Sequence, residues 1–186
     1  GPHCYATHEE LIAAHGEPDA YIPMGSLPGV LGMGSRDIGP YLDWKIPVRR
    51  RPLVGLAWRG GTAKTHKQSR TLKLADLQPI LNVDGVDFVS VQYGGEAVER
   101  EAAATGLTHH AEAVADFSAL HAIIGNCDLV ITVPQTAAHQ AGAMGVPCWV
   151  LCPDEASWQW GPNAPDWYDS VACERGAWAD IIPAVA

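Results

Sequence analysis

From residue 53 onward the chain alternates short apolar runs with stretches of helical spacing. Leu53 to Trp58 is apolar and ends in Arg59-Gly60-Gly61. Leu74 to Leu81 reads as a helix. Asp87 to Gln92 is a second strand, ending at Tyr93-Gly94-Gly95. Glu96 to Ala104 is a helix, Leu107 to His110 a short third strand, and Phe117 to Gly125 a helix. Leu129 to Val133 is the fourth strand and Thr136 to Met144 the helix after it. Cys148 to Leu151 and Ser170 to Cys173 supply two more strands. Ala177 to Val185 closes the chain as a helix interrupted at Pro183. Strands alternating with helices predict an α/β fold, with a parallel sheet of about six strands and helices on both faces.

Residues 1–48 have a different texture. Thr7 to His15 fits a short helix, with Thr7 as N-cap and Glu10 completing a capping box. Pro18, Pro23, Pro28, Pro40 and Pro47 then break regular structure. Composition therefore divides the chain into 1–48, a linker or remnant of a preceding domain, and 49–186, the folded domain.

The 186 residues, 47% of them hydrophobic, suit one domain or one domain with an appendage. A net charge of -9 argues against electrostatic binding of nucleic acid or an anionic membrane. No apolar run is long enough to span a bilayer, and no secretory leader is visible. The cysteines, Cys4, Cys127, Cys148, Cys152 and Cys173, form no CxxC pair. They read as small buried hydrophobes in a reducing compartment, so a cytoplasmic location is expected. His3, Cys4, His8 and His15 match no zinc spacing, and no metal or cofactor is expected.

In a parallel sheet all strand tips lie on one edge. That edge would gather Arg59-Gly60-Gly61, Gln92-Tyr93-Gly94-Gly95 and Pro134-Gln135-Thr136 around one crevice. A helix opening at Thr136 points its unbonded N–H groups and positive dipole end there. His139 lies about one turn further, on a face able to look back at the same crevice. The glycines either admit a ligand to the backbone or merely turn the chain. Neither GxGxxG nor a Walker A loop is present. The loop to Arg70 holds Lys64, His66, Lys67 and Arg70, a cluster suited either to a diphosphate or to solvent. Arg70, just ahead of Leu72 and Leu74, is the better choice for a fixed role. Asp116 is a natural N-cap, and His121 reads as structural. His109 and His110 suit either a base or ribose contact or the surface. Tyr93 and the loop aromatics Trp158, Trp160, Trp167 and Tyr168 either stack on a sugar or base, or pin their loops to the core.

Several of these segments resemble the C-terminal, donor-binding half of GT-B glycosyltransferases. The nearest group is the heptosyltransferase-like enzymes of glycosyltransferase family nine, especially those attached to tetratricopeptide repeats. The resemblance rests on Asp128-Leu129-Val130-Ile131, Thr136, His139, Ala141-Gly142-Ala143, Gly145 and Pro147. Val54 to Trp58, Arg70 to Leu74, Val89 to Gln92 and Ile22 to Pro28 extend it over nearly the whole chain. Gln135 departs from the acidic residue that many relatives carry there.

The resemblance implies a Rossmann-like domain that binds a nucleotide-diphosphate sugar. Arg59, Gly60, Arg70, Gln92, Gly94, Gln135, Thr136 and His139 are the expected donor and phosphate contacts. Tyr93, Trp158 and Trp160 are the candidates for stacking on sugar or base. Transfer would be inverting and metal-independent, with a catalytic base that the sequence does not identify. A GT-B enzyme also needs an N-terminal acceptor domain, which 186 residues cannot contain. The chain alone is therefore expected to be inactive or weakly active, its partner being that acceptor domain or a second copy. The competing expectation is a non-catalytic binding or oligomerisation module that keeps the half-fold. A sugar-nucleotide epimerase lacks its paired carboxylates here, and a nicotinamide enzyme lacks its glycine fingerprint.

Overall fold

The computed structural model describes residues 6–20, 22, 26, 30–32, 39–42, 51–61, 70–111, 116–153, 159–160 and 167–186. They belong to two compact units, Gly1–Gly34 and Ser35–Ala186.

The smaller unit contains helix α1, His8–His15. Thr7 caps it, its hydroxyl accepting from the Glu10 N–H at 3.2 Å. The returning bond of the expected box comes from Ala6 N–H to Glu10 Oε2 (2.9 Å) rather than from Thr7 itself. α1 buries no residue.

The larger unit is built on strands β1 (Leu53–Ala57), β2 (Asp87–Ser90), β3 (Leu129–Thr132), β4 (Cys148–Cys152) and β5 (Val171–Arg175). They form one all-parallel sheet in the order β2-β1-β3-β4-β5. Between them lie α2 (Gln78–Leu81), α3 (Glu96–Thr105), α4 (Phe117–Gly125) and α5 (Thr136–Met144), with α6 (Trp178–Val185) last. Alternate residues of each strand feed opposite faces. Ala57, Val89, Val130, Cys148 and Val150 pack with α4 and α5. Val54, Leu56, Ile131 and Leu151 pack with α2, α3 and α6. Two cores, one per face, explain why the strands read as unbroken apolar runs.

Three differences from the sequence reading have local causes. The sheet has five strands, not six. Leu107–His110 contributes only the bridge Val89↔Thr108. Its neighbours are engaged elsewhere: Leu107 N–H closes the end of α3 on Ala102 O (3.0 Å), and His109 Nδ1 meets Ser90 Oγ (3.0 Å). Leu74 to Leu81 is split, a 3₁₀ turn over Leu74–Leu77 preceding α2, with Pro79 in the first α turn. α6 runs through Pro183 rather than breaking there, with Pro183 close to its end.

Helix ends are set as the residue types dictate. Asp116 caps α4 by accepting from Ser118 N–H at 2.8 Å. Gly145 takes the left-handed conformation (φ 72°) that closes α5, and Val146 N–H returns to Ala141 O at 2.9 Å. Pro40, Tyr41 and Leu42, which composition groups with the linker, belong to the larger unit. The N–H groups of Tyr41 and Leu42 donate to Ala143 O at 2.9 and 3.1 Å, satisfying an end carbonyl of α5.

Among the described residues no helix is long and apolar enough to cross a membrane. Cys127, Cys148 and Cys152 are buried and Cys173 half-buried, none in a disulfide. Burial pushes the Cys148 thiol well above its ordinary range, and contact with Cys173 does the same to Cys152. Neither is poised as a thiolate.

Candidate functional site

After β1 the chain crosses to β2 on one side, and β3 then lies on the other. The tips of β1 and β3 therefore diverge at the point where the strand order reverses, the usual position of a ligand crevice in open α/β sheets. Here the tip of β1 is tied to the segment Arg70 to Leu72. Gly60 N–H donates to Arg70 O (3.0 Å), and Leu72 N–H to Trp58 O (2.8 Å). Arg59 and Thr71 form an antiparallel bridge, and the Thr71 hydroxyl donates to Gly60 O at 3.1 Å. Arg70 to Leu72 thus lies against the tip of β1. Lys64, His66 and Lys67 lie outside the described residues.

Gly60 is needed where it stands. A Cβ there would lie 2.8 Å from Pro134 O and 3.1 Å from Arg70 O, both backbone atoms that cannot yield. Gly60→Ala is expected to push the two strand tips apart. It should cost about 1–3 kcal/mol, read as a lower unfolding midpoint, and weaken any ligand held between the tips.

Arg59 does not face the crevice as an unpaired cation. It pairs with Glu101 of α3, through Nη2 to Oε1 and through Nε to Oε2 at 3.2 Å. The Trp58 indole N–H donates to the same carboxylate. Burial raises the Glu101 pKa, but the Arg59 and Trp58 hydrogen bonds and the Arg59 charge outweigh it, and the group sits below its ordinary value. Gln92 is a brace: its Oε1 accepts from the N–H groups of Trp58 (2.9 Å) and Arg59 (2.7 Å), and its Nε2 donates to Tyr93 O (2.7 Å). Both ends of the carboxamide are engaged within the protein. Gly94 follows at φ 152°, where a Cβ would lie 2.5 Å from Val98 Cγ2.

On the β3 side Gln135 is the N-cap of α5, yet no side chain caps that helix. Thr136 is exposed at its first position. Gln135 is 7% exposed; its Nε2 reaches Thr132 Oγ1 (3.3 Å), while its Oε1 is buried without a hydrogen-bond partner. Arg70 Nε is likewise buried and unpartnered. Each such atom costs about 1–3 kcal/mol if nothing fills the gap, so unmet polar groups near the reversal point are informative.

His139 turns toward aromatics. Its ring lies 4.8 Å from that of Trp160 and 6.0 Å from that of Tyr168, and its Nδ1 is 3.3 Å from the Tyr168 hydroxyl. Burial lowers its pKa below the ordinary 6.5. The Tyr168 hydroxyl, buried and in contact with Tyr41, is pushed up to about 12. The sign for stability follows. Above 6.5 His139 is neutral in both folded and unfolded chains. As pH falls below 6.5 the unfolded chain gains the proton more readily and stability is lost. The unfolding midpoint should drop between about pH 7.5 and 5.5, and drop less in His139→Phe. Equal drops in thermal melts would contradict this.

Of the stacking candidates, Tyr93 is 44% exposed beside Gly94 and offers a ring face. Trp160 is 3% exposed and is a core residue against His139. Trp158 lies outside the described residues. Glu101, Thr71 and Tyr41 contribute contacts without having been selected from the sequence, while Tyr168, one of the loop aromatics, packs on His139. No group of three or more His, Cys, Asp or Glu among the described residues is arranged to hold a metal. A cavity of about 780 Å³ lies beside edge strand β2, lined among others by Gln78, Asn82, Phe88, Leu107 and Asn126. Gln78 bonds Asn82, and Asn126 bonds Ala122 O, so these carboxamides have partners, unlike the Oε1 of Gln135.

Fold and site define an α/β domain built on an all-parallel five-stranded sheet whose strand order reverses between β1 and β3. The chain is similar to "Protein FlbA" of Caulobacter vibrioides, with 27% identity across 77% of the chain. The match covers 26% of that protein, so the chain spans about a quarter of the relative's length. No protein-family model and no solved structure matches it.

Proposed function

We propose that this chain is the donor-binding half of an inverting, metal-independent glycosyltransferase, and that its crevice takes a nucleotide-diphosphate sugar. The observation that carries the reading is the reversal of strand order between β1 and β3, beside the uncapped start of α5. If the Thr108 bridge counts as a vestigial edge strand, the order matches the doubly wound sheets that bind nucleotides, which supports the finer, Rossmann-like assignment. In the complete enzyme the acceptor hydroxyl attacks the anomeric carbon while a general base takes its proton. This half stabilises the departing nucleoside diphosphate with backbone N–H groups and a cation. The acceptor domain and the base come from elsewhere.

The internal engagement of Arg59 and Gln92 favours a second reading, a non-catalytic module that keeps the fold. Calorimetric titration with nucleoside diphosphates and diphospho-sugars tests the first. Binding at micromolar to millimolar concentration is expected, and no heat from any of them at millimolar concentration would overturn it. Donor hydrolysis or transfer by the chain would then exclude the module.

A further inference from the structure

Two arginines stand at the tip of β1, and the structure gives them unlike surroundings. Arg59 carries a carboxylate partner from α3, and that carboxylate also holds the Trp58 indole. Its backbone N–H is fixed by Gln92. Every one of these contacts joins β1 to α3 or to the tip of β2, and Trp58 beneath them is fully buried. The Arg59 charge is cancelled where it lies.

Arg70 has no such partner. Among the described residues no carboxylate pairs with it, and its Nε is buried without a hydrogen bond. Its carbonyl is fixed by Gly60 N–H at 3.0 Å, against the point where Pro134 O approaches Gly60. Pro134 and Gln135 lead directly into α5, whose first N–H groups have no side-chain cap. A cation with an unmet donor, fixed at its backbone, thus stands next to a helix start with unmet donors of its own. That arrangement suits an anion with several acceptor oxygens, of the diphosphate class.

We infer that the two arginines divide the work: Arg70 is the cation that contacts the diphosphate, and Arg59 is a positioning residue, locked by Glu101, that holds the β1 tip on α3. The inference rests on the donor-site reading above and assigns its charge to one residue. Three consequences separate it from a shared role. Arg70 substitutions change affinity more than stability, Arg59 substitutions change stability more than affinity, and Glu101 substitutions behave like those at Arg59.

The test is calorimetry with inorganic pyrophosphate, which carries no base or sugar, on the full chain and on Arg70→Gln, Arg70→Lys, Arg59→Gln and Glu101→Gln. Thermal melts of each accompany it. Arg70→Gln should weaken binding by about tenfold or more with the melt nearly unchanged. Arg70→Lys should recover part of the affinity, since it keeps the charge and loses the planar fork. The salt dependence of the dissociation constant should fall in Arg70→Gln and persist in Arg59→Gln. Arg59→Gln and Glu101→Gln should both lower the melting temperature and, below it, bind within about threefold of the unsubstituted chain. Equal affinity of Arg70→Gln and the unsubstituted chain would overturn the division while leaving the donor-site reading intact. So would loss of binding in a folded Arg59→Gln. If the unsubstituted chain binds neither pyrophosphate nor any nucleoside diphosphate, the donor-site reading falls and this inference with it.

Discussion

Trp58→Ala is expected to be the most destabilising single substitution in the chain. Trp58 follows β1 directly, is 0% exposed, and packs with Leu72, Leu74 and Val98 on the α2–α3 face. Truncating a buried tryptophan leaves a large cavity and typically costs about 3–5 kcal/mol. Here it also removes the indole N–H from Glu101, so a half-buried carboxylate loses one donor and keeps Arg59 and the Leu74 backbone. For a unit of this size the loss corresponds to a fall of roughly 6–20 °C in melting temperature. Trp58→Phe should recover much of the packing but not the hydrogen bond, and fall between the two. Thermal melts followed by circular dichroism decide it. A fall of only a degree or two for Trp58→Ala would mean that β1 and α3 are not joined through this residue.

Gly142→Ala is expected to be nearly as severe, for a steric reason. A Cβ at this position would sit 2.3 Å from Tyr168 Cγ and 2.4 Å from Cδ2. Those atoms are at the root and flank of the ring, so the whole side chain must leave. Its departure would break the contact with His139 and uncover the α5 face now under the ring. A cost of about 2–4 kcal/mol is expected, extending past the usual range of about 1–3 kcal/mol for overpacked cores. The cause can be isolated with a double-mutant cycle. Once Tyr168→Ala has removed the ring, adding Gly142→Ala should cost little, so the pair should be strongly non-additive. Additive losses would show that Tyr168 is not what excludes the methyl group.

Gly142 also illustrates what the sequence can convey. Ala141-Gly142-Ala143 stands out in the sequence only through the family resemblance, yet these small residues lie in a helix covered on nearly every face. Helix bounds were legible where a capping residue has a local mechanism, as at Asp116 and Gly145. The strands were legible because burial on both faces leaves unbroken apolar runs. The short segment Leu107–His110 carries the same apolar start, yet its residues close α3 and meet Ser90 instead, a competition no local pattern reveals.

The site was less legible than the fold. The loops that meet at the reversal point follow from parallel topology, so Gly60, Arg70, Gln135 and Thr136 could be grouped before any coordinates. The partner of Arg59 could not, because Glu101 lies 42 residues away on a helix with other acidic residues. Gln92 read as a ligand contact because a polar residue at a strand tip has the same sequence signature whether it faces a ligand or braces backbone N–H groups. Loop aromatics are similarly ambiguous, and burial separates them: Tyr93 is exposed while Trp160 is in the core.

The most direct measurement is an amide chemical-shift map of the full chain titrated with a nucleoside diphosphate. If the crevice holds the diphosphate, the largest changes fall on Gly60, Arg70, Thr136 and Ala137, and saturate together. Changes confined to Asn82, Phe88, Leu107 and Asn126 would move the ligand to the cavity beside β2 and contradict the proposed site. A map without any change at saturating ligand would contradict it equally.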